Sequence, residues 1–205
     1  MPRKDDNINL GTVKSLEEKY GVKYAILAVN KLKKDLTKDG KKQLADKVKY
    51  YIYGDGSQKE ELLKLVKAEK LERDVLLMGK IPNEKVSSAL NMMDIFVAPS
   101  IVNESFGVAV VEAMACEIPI VATDVDGFKE VMINNHTGYI VKRKDINAIS
   151  LALNKLIENV ETRKNMGKNG RKRVVENYDW NKNVEYMKKV YEKCYQVRQI
   201  NNNKK

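Results

Sequence analysis

The segment ESFGVAVVE, Glu104 to Glu112, brackets an apolar run with two carboxylates and places a Phe-Gly pair after the first. On one unbroken helix the two glutamates would lie about 12 Å apart, at a rise of about 1.5 Å per residue, too far to hold one small group. We therefore expect a loop-to-helix junction, with Glu104 in the loop and Glu112 inside a buried helix that covers Val108 to Ala115.

The N-terminus of that helix would expose the backbone N–H groups around Phe106, Gly107 and Val108, where the helix dipole favours an anion such as phosphate. Carboxylates aimed at a phosphate would repel it, so we expect Glu104 and Glu112 to point past it at hydroxyl donors. Two sets of hydroxyls separated by a diphosphate describe a nucleotide sugar. Two other interpretations stay open: ordinary capping and dipole effects, and the acid and base of a glycosidase.

Composition indicates a folded chain of moderate size. The 205 residues and the apolar content of 43% support one large α/β domain or two small ones. Its two cysteines, Cys116 and Cys194, lie far apart and lack metal-ligand spacing, which favours a reduced, cytoplasmic protein. No apolar run approaches the roughly 20 residues needed to cross a bilayer.

Apolar, β-rich segments alternate with longer helical patterns, which is typical of a parallel sheet covered by helices. SQKEELLKLVKAEKL repeats apolar residues at three-and-four spacing, and NEKVSSALNMM is a shorter helix of the same kind. Sheets of this class bind ligands at the carboxyl ends of their strands. The predicted strands are Ile8–Val13, Val48–Gly54, Asp74–Gly79, Asp94–Ser100, Ile118–Asp124 and Thr137–Val141.

Two further stretches complete the prediction. Lys33–Lys49 is highly charged and contains Gly40, so we expect the end of a helix, an exposed turn and a charged approach to the second strand. The tail QINNNKK is predicted to be frayed. Before it, three helical patterns follow the last strand at Ile146–Val160, Thr162–Tyr178 and Asn181 to about Tyr195.

The stretch PSIVNESFGVAVVEAMACEIPIVATDVDGFKEVMINNHTGYIV resembles the C-terminal half of retaining GT-B glycosyltransferases of the family-4 type. YGDGSQKEEL and NMMDIFVAPS resemble two more motifs of that family, and the similarity covers nearly the whole chain. It implies an α/β fold, a Rossmann-like parallel sheet flanked by helices that forms the C-terminal half of a GT-B fold, with extra C-terminal helices. The family's hallmark is Glu, seven residues and Glu, with Phe-Gly after the first, matched at Glu104, Phe106, Gly107 and Glu112.

The resemblance implies a role for each residue of this motif. Glu112 would accept hydrogen bonds from the ribose hydroxyls of a nucleotide sugar. Glu104, the expected catalytic residue, would contact the hydroxyls of the donor sugar and orient it. Phe106, Gly107 and Val108 would offer backbone N–H groups to the sugar and the distal phosphate.

Two turns are implied to bind other parts of the donor. The turn MGKIP, which contains Lys80 and Ile81, would frame the base largely through backbone atoms. Gly56 belongs to the Gly-Asp-Gly turn between a strand and a helix, and it is also an expected donor-binding residue.

Enzymes of this family usually work without a bound metal, so the resemblance implies that cationic side chains bind the diphosphate. We expect no cofactor besides the substrate. Family members carry an Arg and, five residues later, a Lys after the first strand of this domain. Lys14 and Lys19 match that spacing, whereas an alternative register puts Thr12 in the place of the Arg. A Lys in that place is a point charge, so its hold on phosphate would be looser than the bidentate hold of Arg.

The resemblance also implies a domain organisation. Residues 1–179 would form the donor-binding domain, and residues 180–205 would form a crossing helix and the frayed tail. The acceptor would bind to an N-terminal domain that this chain lacks. We expect the chain to bind a nucleotide sugar weakly and to transfer nothing alone. With its acceptor domain, it would transfer a hexose with retention to a glycan or lipid-linked acceptor, as in polysaccharide biosynthesis; the alternative is a non-catalytic nucleotide-binding subunit of a split transferase.

The net charge of +10 is concentrated near the C-terminus, where residues 155–205 contain 14 Lys and Arg against 6 Asp and Glu. Nucleic acid, anionic lipid and plain solubility are all compatible with such a charge. RKRVVENYDW lacks an aromatic stacking platform or a base-reading motif, so we expect no nucleic-acid partner. If the basic face has a partner, an anionic surface at the inner side of the membrane fits better.

Overall fold

Six parallel strands form the sheet of this chain, which the computed structural model describes for residues 6–202. Each strand lies inside a segment that the sequence predicts, so the parallel α/β sheet is confirmed. The strands are β1 (Ile8–Val13), β2 (Val48–Tyr53), β3 (Val75–Gly79), β4 (Ile95–Ala98), β5 (Ile120–Thr123) and β6 (Gly138–Val141).

Helices connect the strands and form two groups. The helix α1 contacts α2, α3 and α7, whereas α5 contacts α4, α6 and the strands β4 and β5. Every residue of β4 and of β5 is buried, as expected for strands that are covered on both faces. The bounds are α1 (Val22–Lys38), α2 (Lys42–Lys47), α3 (Lys59–Ala68), α4 (Val86–Leu90), α5 (Val108–Ala115), α6 (Asp126–Val131) and α7 (Ile146–Glu158).

The strand order β3-β2-β1-β4-β5-β6 places a switch point between β1 and β4. From β1 the chain first builds outward through β2 and β3, and it then returns to add β4, β5 and β6 on the other side. At such a point the loops that follow the two central strands diverge and leave a crevice at their carboxyl ends. Residues 14–21, after β1, and residues 99–107, after β4, therefore border the same crevice.

The charged segment Lys33–Lys49 differs from its prediction in one respect. The helix α1 ends inside this segment, as expected, at Lys38, and Gly40 lies in the exposed turn. The approach to β2 is not extended, however, because residues 42–47 form the short helix α2. Ala45 is its one fully buried residue, and the partly buried Leu44 packs against the core beside it, so two apolar side chains anchor this short helix.

The chain divides into two compact units, the first ending at Arg171 and the second beginning at Lys172. The helix α8 (Val160–Asn177) crosses that boundary, and α9 (Trp180–Asn202) follows in the second unit. The tail was predicted to be frayed from Gln199, but α9 continues to Asn202, and the last three residues lie outside the described part. None of the helices between residues 6 and 202 is long and apolar enough to span a membrane.

Candidate functional site

The crevice between β1 and β4 brings together residues that are distant in the sequence. Lys14 follows β1 directly, Ser100 lies two residues after β4, and Gly107 precedes α5. All three line one cavity with Ala109, Val110 and Phe128. The predicted site residues Lys14 and Gly107 therefore share a cavity, and Ser100 is a residue that the sequence did not single out.

Lys14 and Glu104 form an ion pair at this crevice. The Nζ of Lys14 lies 2.8 Å from Oε1 and 3.0 Å from Oε2 of Glu104. The side chains are only 25% and 12% exposed, so water screens this pair less than it screens an exposed one. Ser100 Oγ donates a 2.6 Å hydrogen bond to Oε1 of Glu104. Both oxygens of the carboxylate are thus held by neighbouring side chains.

The loop that carries Glu104 is braced from two sides. The N–H of Gly127, in α6, donates to the backbone oxygen of Glu104 at 3.1 Å, and a Cβ on Gly127 would lie 2.4 Å from that oxygen. Arg143 donates to the side chain of Asn103 at 3.1 Å and to the carboxylate of Asp124 at 3.2 Å. The loop is therefore positioned by contacts that follow β5 and β6.

The N-terminus of α5 has the properties of an anion site. Its N-cap is Gly107, with φ +93°, and no side chain caps the helix. The oxygen of Gly107 accepts from Val110 and Val111, while the N–H groups of Val108 and Ala109 have no acceptor among the described residues. Unpaired N–H groups and the positive end of the helix dipole favour a bound anion.

Glu112 lies inside α5, as the junction prediction requires. It follows Val108 by four residues, so the two side chains project from one face of the helix. Glu112 is half-buried, and burial raises the pKa of its carboxyl above the ordinary value. Within residues 6–202 its carboxylate has no hydrogen-bond or ion-pair partner. It is therefore open to a donor supplied by a ligand.

Thr12, which the alternative register puts in the place of the Arg, is buried. Thr12 is 1% exposed, and its hydroxyl donates to the oxygen of Val97 at 2.6 Å and shares a 2.7 Å hydrogen bond with Tyr50. That hydroxyl belongs to the core, whereas Lys14 is a cation at the end of β1; which of the two occupies the place of the Arg stays a prediction.

Lys19 reaches the same region through a contact that the spacing did not predict. Its ammonium lies 5.1 Å from the centre of the Tyr20 ring, and that of Lys14 lies 4.1 Å from the same centre. Cations this close to an aromatic ring are attracted by its quadrupole. The ammonium groups of the two predicted lysines therefore both lie near the ring of Tyr20.

A second cleft of about 370 Å³ adjoins the first at Lys14. Lys80 and Ile81, predicted to frame a base, line it together with Tyr53, Asp55 and Asn83. This cleft lies at the carboxyl ends of β1, β2 and β3. Since Lys14 lines both cavities, a ligand that spans them would pass its ammonium.

Gly56 is bonded within its own turn. Its N–H donates to Oδ1 of Asp55 at 2.9 Å, and a Cβ there would lie 2.6 Å from the backbone oxygen of Leu16. The close approach lets the turn after β2 pack on the loop after β1, where Leu16 donates to the oxygen of Asp55 at 2.9 Å. A donor-binding role of Gly56 stays a prediction.

Metal-binding groups are not evident in this arrangement. Across residues 6–202, no three His, Cys, Asp or Glu side chains are grouped so that they could hold a metal ion. Charged side chains at the two clefts include Lys14, Asp55 and Lys80.

A doubly wound parallel domain with an open helix N-terminus at its switch point defines a class of nucleotide-binding folds. The family model described as glycosyl transferases group 1 matches residues 2–173. The chain belongs to this family of glycosyltransferases.

Three curated relatives show how much of a longer protein the chain matches. An uncharacterized glycosyltransferase of Methanocaldococcus jannaschii is 30% identical over 90% of this chain and 49% of its own length. N-acetyl-alpha-D-glucosaminyl L-malate synthase of Bacillus anthracis is 34% identical over 70% of this chain and 37% of its own length. Phosphatidyl-myo-inositol mannosyltransferase of Mycobacterium leprae is 33% identical over 72% of this chain and 38% of its own length. The chain thus spans half or less of the length of these relatives.

Two solved structures share the fold. Sucrose-phosphate synthase from Thermosynechococcus elongatus superposes with a TM-score of 0.82 at 23% identity, covering 94% of this chain and 46% of that one. HepE of Anabaena, in complex with UDP, superposes with a TM-score of 0.81 at 19% identity. The match covers 92% of this chain and 49% of HepE. The chain has the Rossmann-like fold of a GT-B C-terminal domain.

Proposed function

We propose that the chain is the donor-binding domain of a glycosyltransferase that transfers a hexose from a nucleotide diphosphate sugar, with retention, to a glycan or lipid-linked acceptor. The observation that carries the proposal is the ion pair of Lys14 and Glu104 beside the open N-terminus of α5. A cation, a carboxylate and free N–H groups at one switch point match a ligand that carries a diphosphate between two sets of hydroxyls.

Each end of such a donor has a complementary partner. The unpartnered carboxylate of Glu112 accepts from the ribose hydroxyls. The N–H groups of Val108 and Ala109 bind the distal phosphate, and the cleft at Lys80 and Ile81 receives the base. The UDP that accompanies the structurally similar HepE supports a nucleotide in this fold.

Binding of the diphosphate changes the partners of Lys14. A diphosphate carries more negative charge than one carboxylate, so it competes with Glu104 for the ammonium of Lys14. Glu104 then turns its freed oxygens to the hydroxyls of the hexose, while Ser100 keeps its hydrogen bond to Oε1. The ion pair of the free chain thus holds Glu104 beside the site until a donor arrives.

The same groups stabilise the departure of the nucleoside diphosphate. Negative charge develops on the leaving phosphate as its bond to the sugar carbon breaks, and Lys14, Lys19 and the α5 N-terminus lie where that charge grows. The leaving oxygen takes the proton of the acceptor hydroxyl, and the acceptor oxygen forms its bond to the sugar carbon on the face that the phosphate leaves, which retains the configuration. Hydrogen bonds from the sugar hydroxyls to Glu104 orient the sugar for this transfer.

In this proposal residues 1–179 form the donor domain, residues 180–205 contribute a crossing helix and a frayed tail, and the acceptor binds to a separate N-terminal domain. Alone, the chain binds the donor and transfers nothing. The basic C-terminal region binds the anionic inner face of a membrane. If transfer does not occur with any acceptor domain, the non-catalytic subunit of a split transferase is the better description.

Nucleotide binding to the 205-residue chain tests the proposal directly. We expect UDP, GDP or ADP, free or as their sugars, to bind at millimolar concentration in ligand-observed NMR. Glu112→Ala should weaken binding about tenfold, because it removes charged acceptors of the ribose hydroxyls. Glu117→Ala is the matched control, since this exposed glutamate lies just after the other end of α5. Absence of binding, or equal binding by Glu112→Ala, would refute the assignment.

A further inference from the structure

Tyr20 lies at the centre of the cationic part of the site. The ammonium groups of Lys14 and Lys19 lie 4.1 Å and 5.1 Å from the centre of its ring. Two like charges near each other repel, and the negative face of an aromatic ring offsets part of that repulsion. The ring is thus a common contact of two lysines from one loop.

The lysines have other charged neighbours that define their positions. Lys14 is held by the ring and by Glu104, whose carboxylate oxygens lie 2.8 Å and 3.0 Å from its Nζ. Lys19 is attracted to Glu17, whose carboxyl pKa is lowered chiefly by hydrogen bonds from Ser57 and, to a lesser extent, by the charge of Lys19. A diphosphate displaces Glu104 from Lys14, but it leaves the ring contact in place, because a cation over a ring keeps N–H groups free to donate.

The residues on either side of Tyr20 contact the loop after β4. Tyr20 ends the short 3-10 helix Glu18–Tyr20, and its N–H donates to the oxygen of Glu17 at 3.0 Å. The oxygen of Lys19 accepts from Ile101 at 2.9 Å, in the loop that leads to Glu104. The next residue, Gly21, has φ +61°, and a Cβ on it would lie 2.3 Å from the oxygen of Pro99.

We propose that Tyr20 is a positioning residue that holds Lys14 and Lys19 where they meet the diphosphate of the donor. The inference rests on the proposed function. Lysine side chains are long and lose much rotamer freedom when they bind an anion. A ring that orders both ammonium groups beforehand lowers that loss and so strengthens the binding of phosphates. Tyr20 acts through the lysines and need not touch the donor.

Two substitutions at Tyr20 separate the ring from the hydroxyl. Tyr20→Leu removes the aromatic face, whereas Tyr20→Phe keeps the ring and removes only the hydroxyl. Tyr24→Leu is the matched control, since the ammonium of Lys23 lies 5.6 Å from the Tyr24 ring at the start of α1. The ligands are UDP, GDP, ADP and pyrophosphate, which carry the diphosphate, and uridine, which does not. Circular dichroism checks folding, and Tyr20→Met replaces the leucine variant if that variant does not fold.

We expect Tyr20→Leu to weaken binding of the diphosphates and of pyrophosphate about fivefold, the scale of a cation–π contact that is partly accessible to water. Tyr20→Phe should bind like the wild type, Tyr24→Leu should be unchanged, and uridine should not distinguish the variants. Equal diphosphate binding by the wild type and Tyr20→Leu would refute the inference. So would a loss in Tyr20→Phe as large as that in Tyr20→Leu, or a parallel loss for uridine. If the wild type binds none of these phosphates, the proposed function itself fails.

Lysine resonances give a second test that needs no ligand. Protons that lie over an aromatic ring are shifted upfield by its ring current, so the side-chain CH₂ groups next to the ammonium of Lys14 and Lys19 should resonate upfield in the wild type and in Tyr20→Phe. They should return to ordinary positions in Tyr20→Leu. Ordinary positions in the wild type would show that the ring does not hold these lysines.

Discussion

Glu112 and Glu104 bracket one anion site but have different surroundings. Glu104 is bonded to Lys14 and Ser100, whereas Glu112 is half-buried and burial raises the pKa of its carboxyl. A half-buried carboxylate without a partner disfavours its own charged form. This arrangement lowers stability while it keeps a hydrogen-bond acceptor open, as sites that bind ligands often do.

Glu112→Gln should therefore stabilise the chain at neutral pH. The raised pKa means that the folded chain binds this proton more tightly than the unfolded chain does. The contribution of Glu112 to stability is thus complete below the ordinary pKa of glutamate and is lost as pH rises through the raised pKa. Glutamine does not ionise, so we expect a gain of about 0.5 kcal/mol at pH 7, the scale of a surface substitution, that vanishes below about pH 4.

Urea unfolding of the wild type and of Glu112→Gln at several pH values measures this difference. Glu117→Gln is the control, because it makes the same substitution at an exposed glutamate just after the other end of α5. A gain for Glu112→Gln that is constant with pH would contradict the expected effect of burial. The same variant should bind UDP, GDP and ADP more weakly, so its stability and its binding should change in opposite directions.

The helix α5 depends on the glycine that begins it. Gly107 combines φ +93° with close packing, since a Cβ there would lie 2.8 Å and 2.9 Å from two ring carbons of Phe128. Such a φ disfavours any other residue. The ring of Phe128, from α6, thus packs against the turn that opens the N–H groups of α5 to a ligand.

Gly107→Ala should destabilise the chain by about 3 kcal/mol, the sum of backbone strain and overpacking. Gly40→Ala is its matched control, because Gly40 has φ +77° but nothing lies within 4 Å of its Cβ position. That variant should lose only about 1 kcal/mol from strain. Thermal unfolding of both variants separates the two effects, and equal losses would show that contact with Phe128 contributes nothing.

The helices and strands could be predicted from local sequence patterns, but the side-chain contacts between distant loops could not. Strands such as β4 are uninterrupted apolar runs, which the sequence displays directly. The helix α2 was missed because it is short and has one fully buried residue. Ser100 and Tyr20 act through Glu104 and the lysines, and no local pattern relates residues whose contacts form only when the sheet brings the loops after β1 and β4 together.

Two features belong to the scale of the whole chain. The strand order of the sheet forms the candidate site, and the second unit exposes aromatic side chains. Within the first unit, the order of β1 and β4 brings residues 14–21 beside residues 99–107. In the second unit, α9 carries large exposed side chains at Trp180, Tyr186, Tyr191 and Tyr195. Lysines at 182, 188, 189 and 193 lie on the same helix. Aromatic and basic residues on one helix are typical of an interfacial membrane contact.

Trp180 reports on such a contact, since it is the one tryptophan of the sequence and is 78% exposed. We expect vesicles that contain phosphatidylserine to shift its fluorescence to shorter wavelength, because lysines bind anionic lipid by about 1 kcal/mol each. About 1 M salt should reverse the shift, and Lys182→Gln with Lys189→Gln should weaken vesicle binding severalfold. Vesicles of phosphatidylcholine alone are the control. An equal shift with these neutral vesicles, or no shift with either kind, would refute an electrostatic contact between this helix and the membrane.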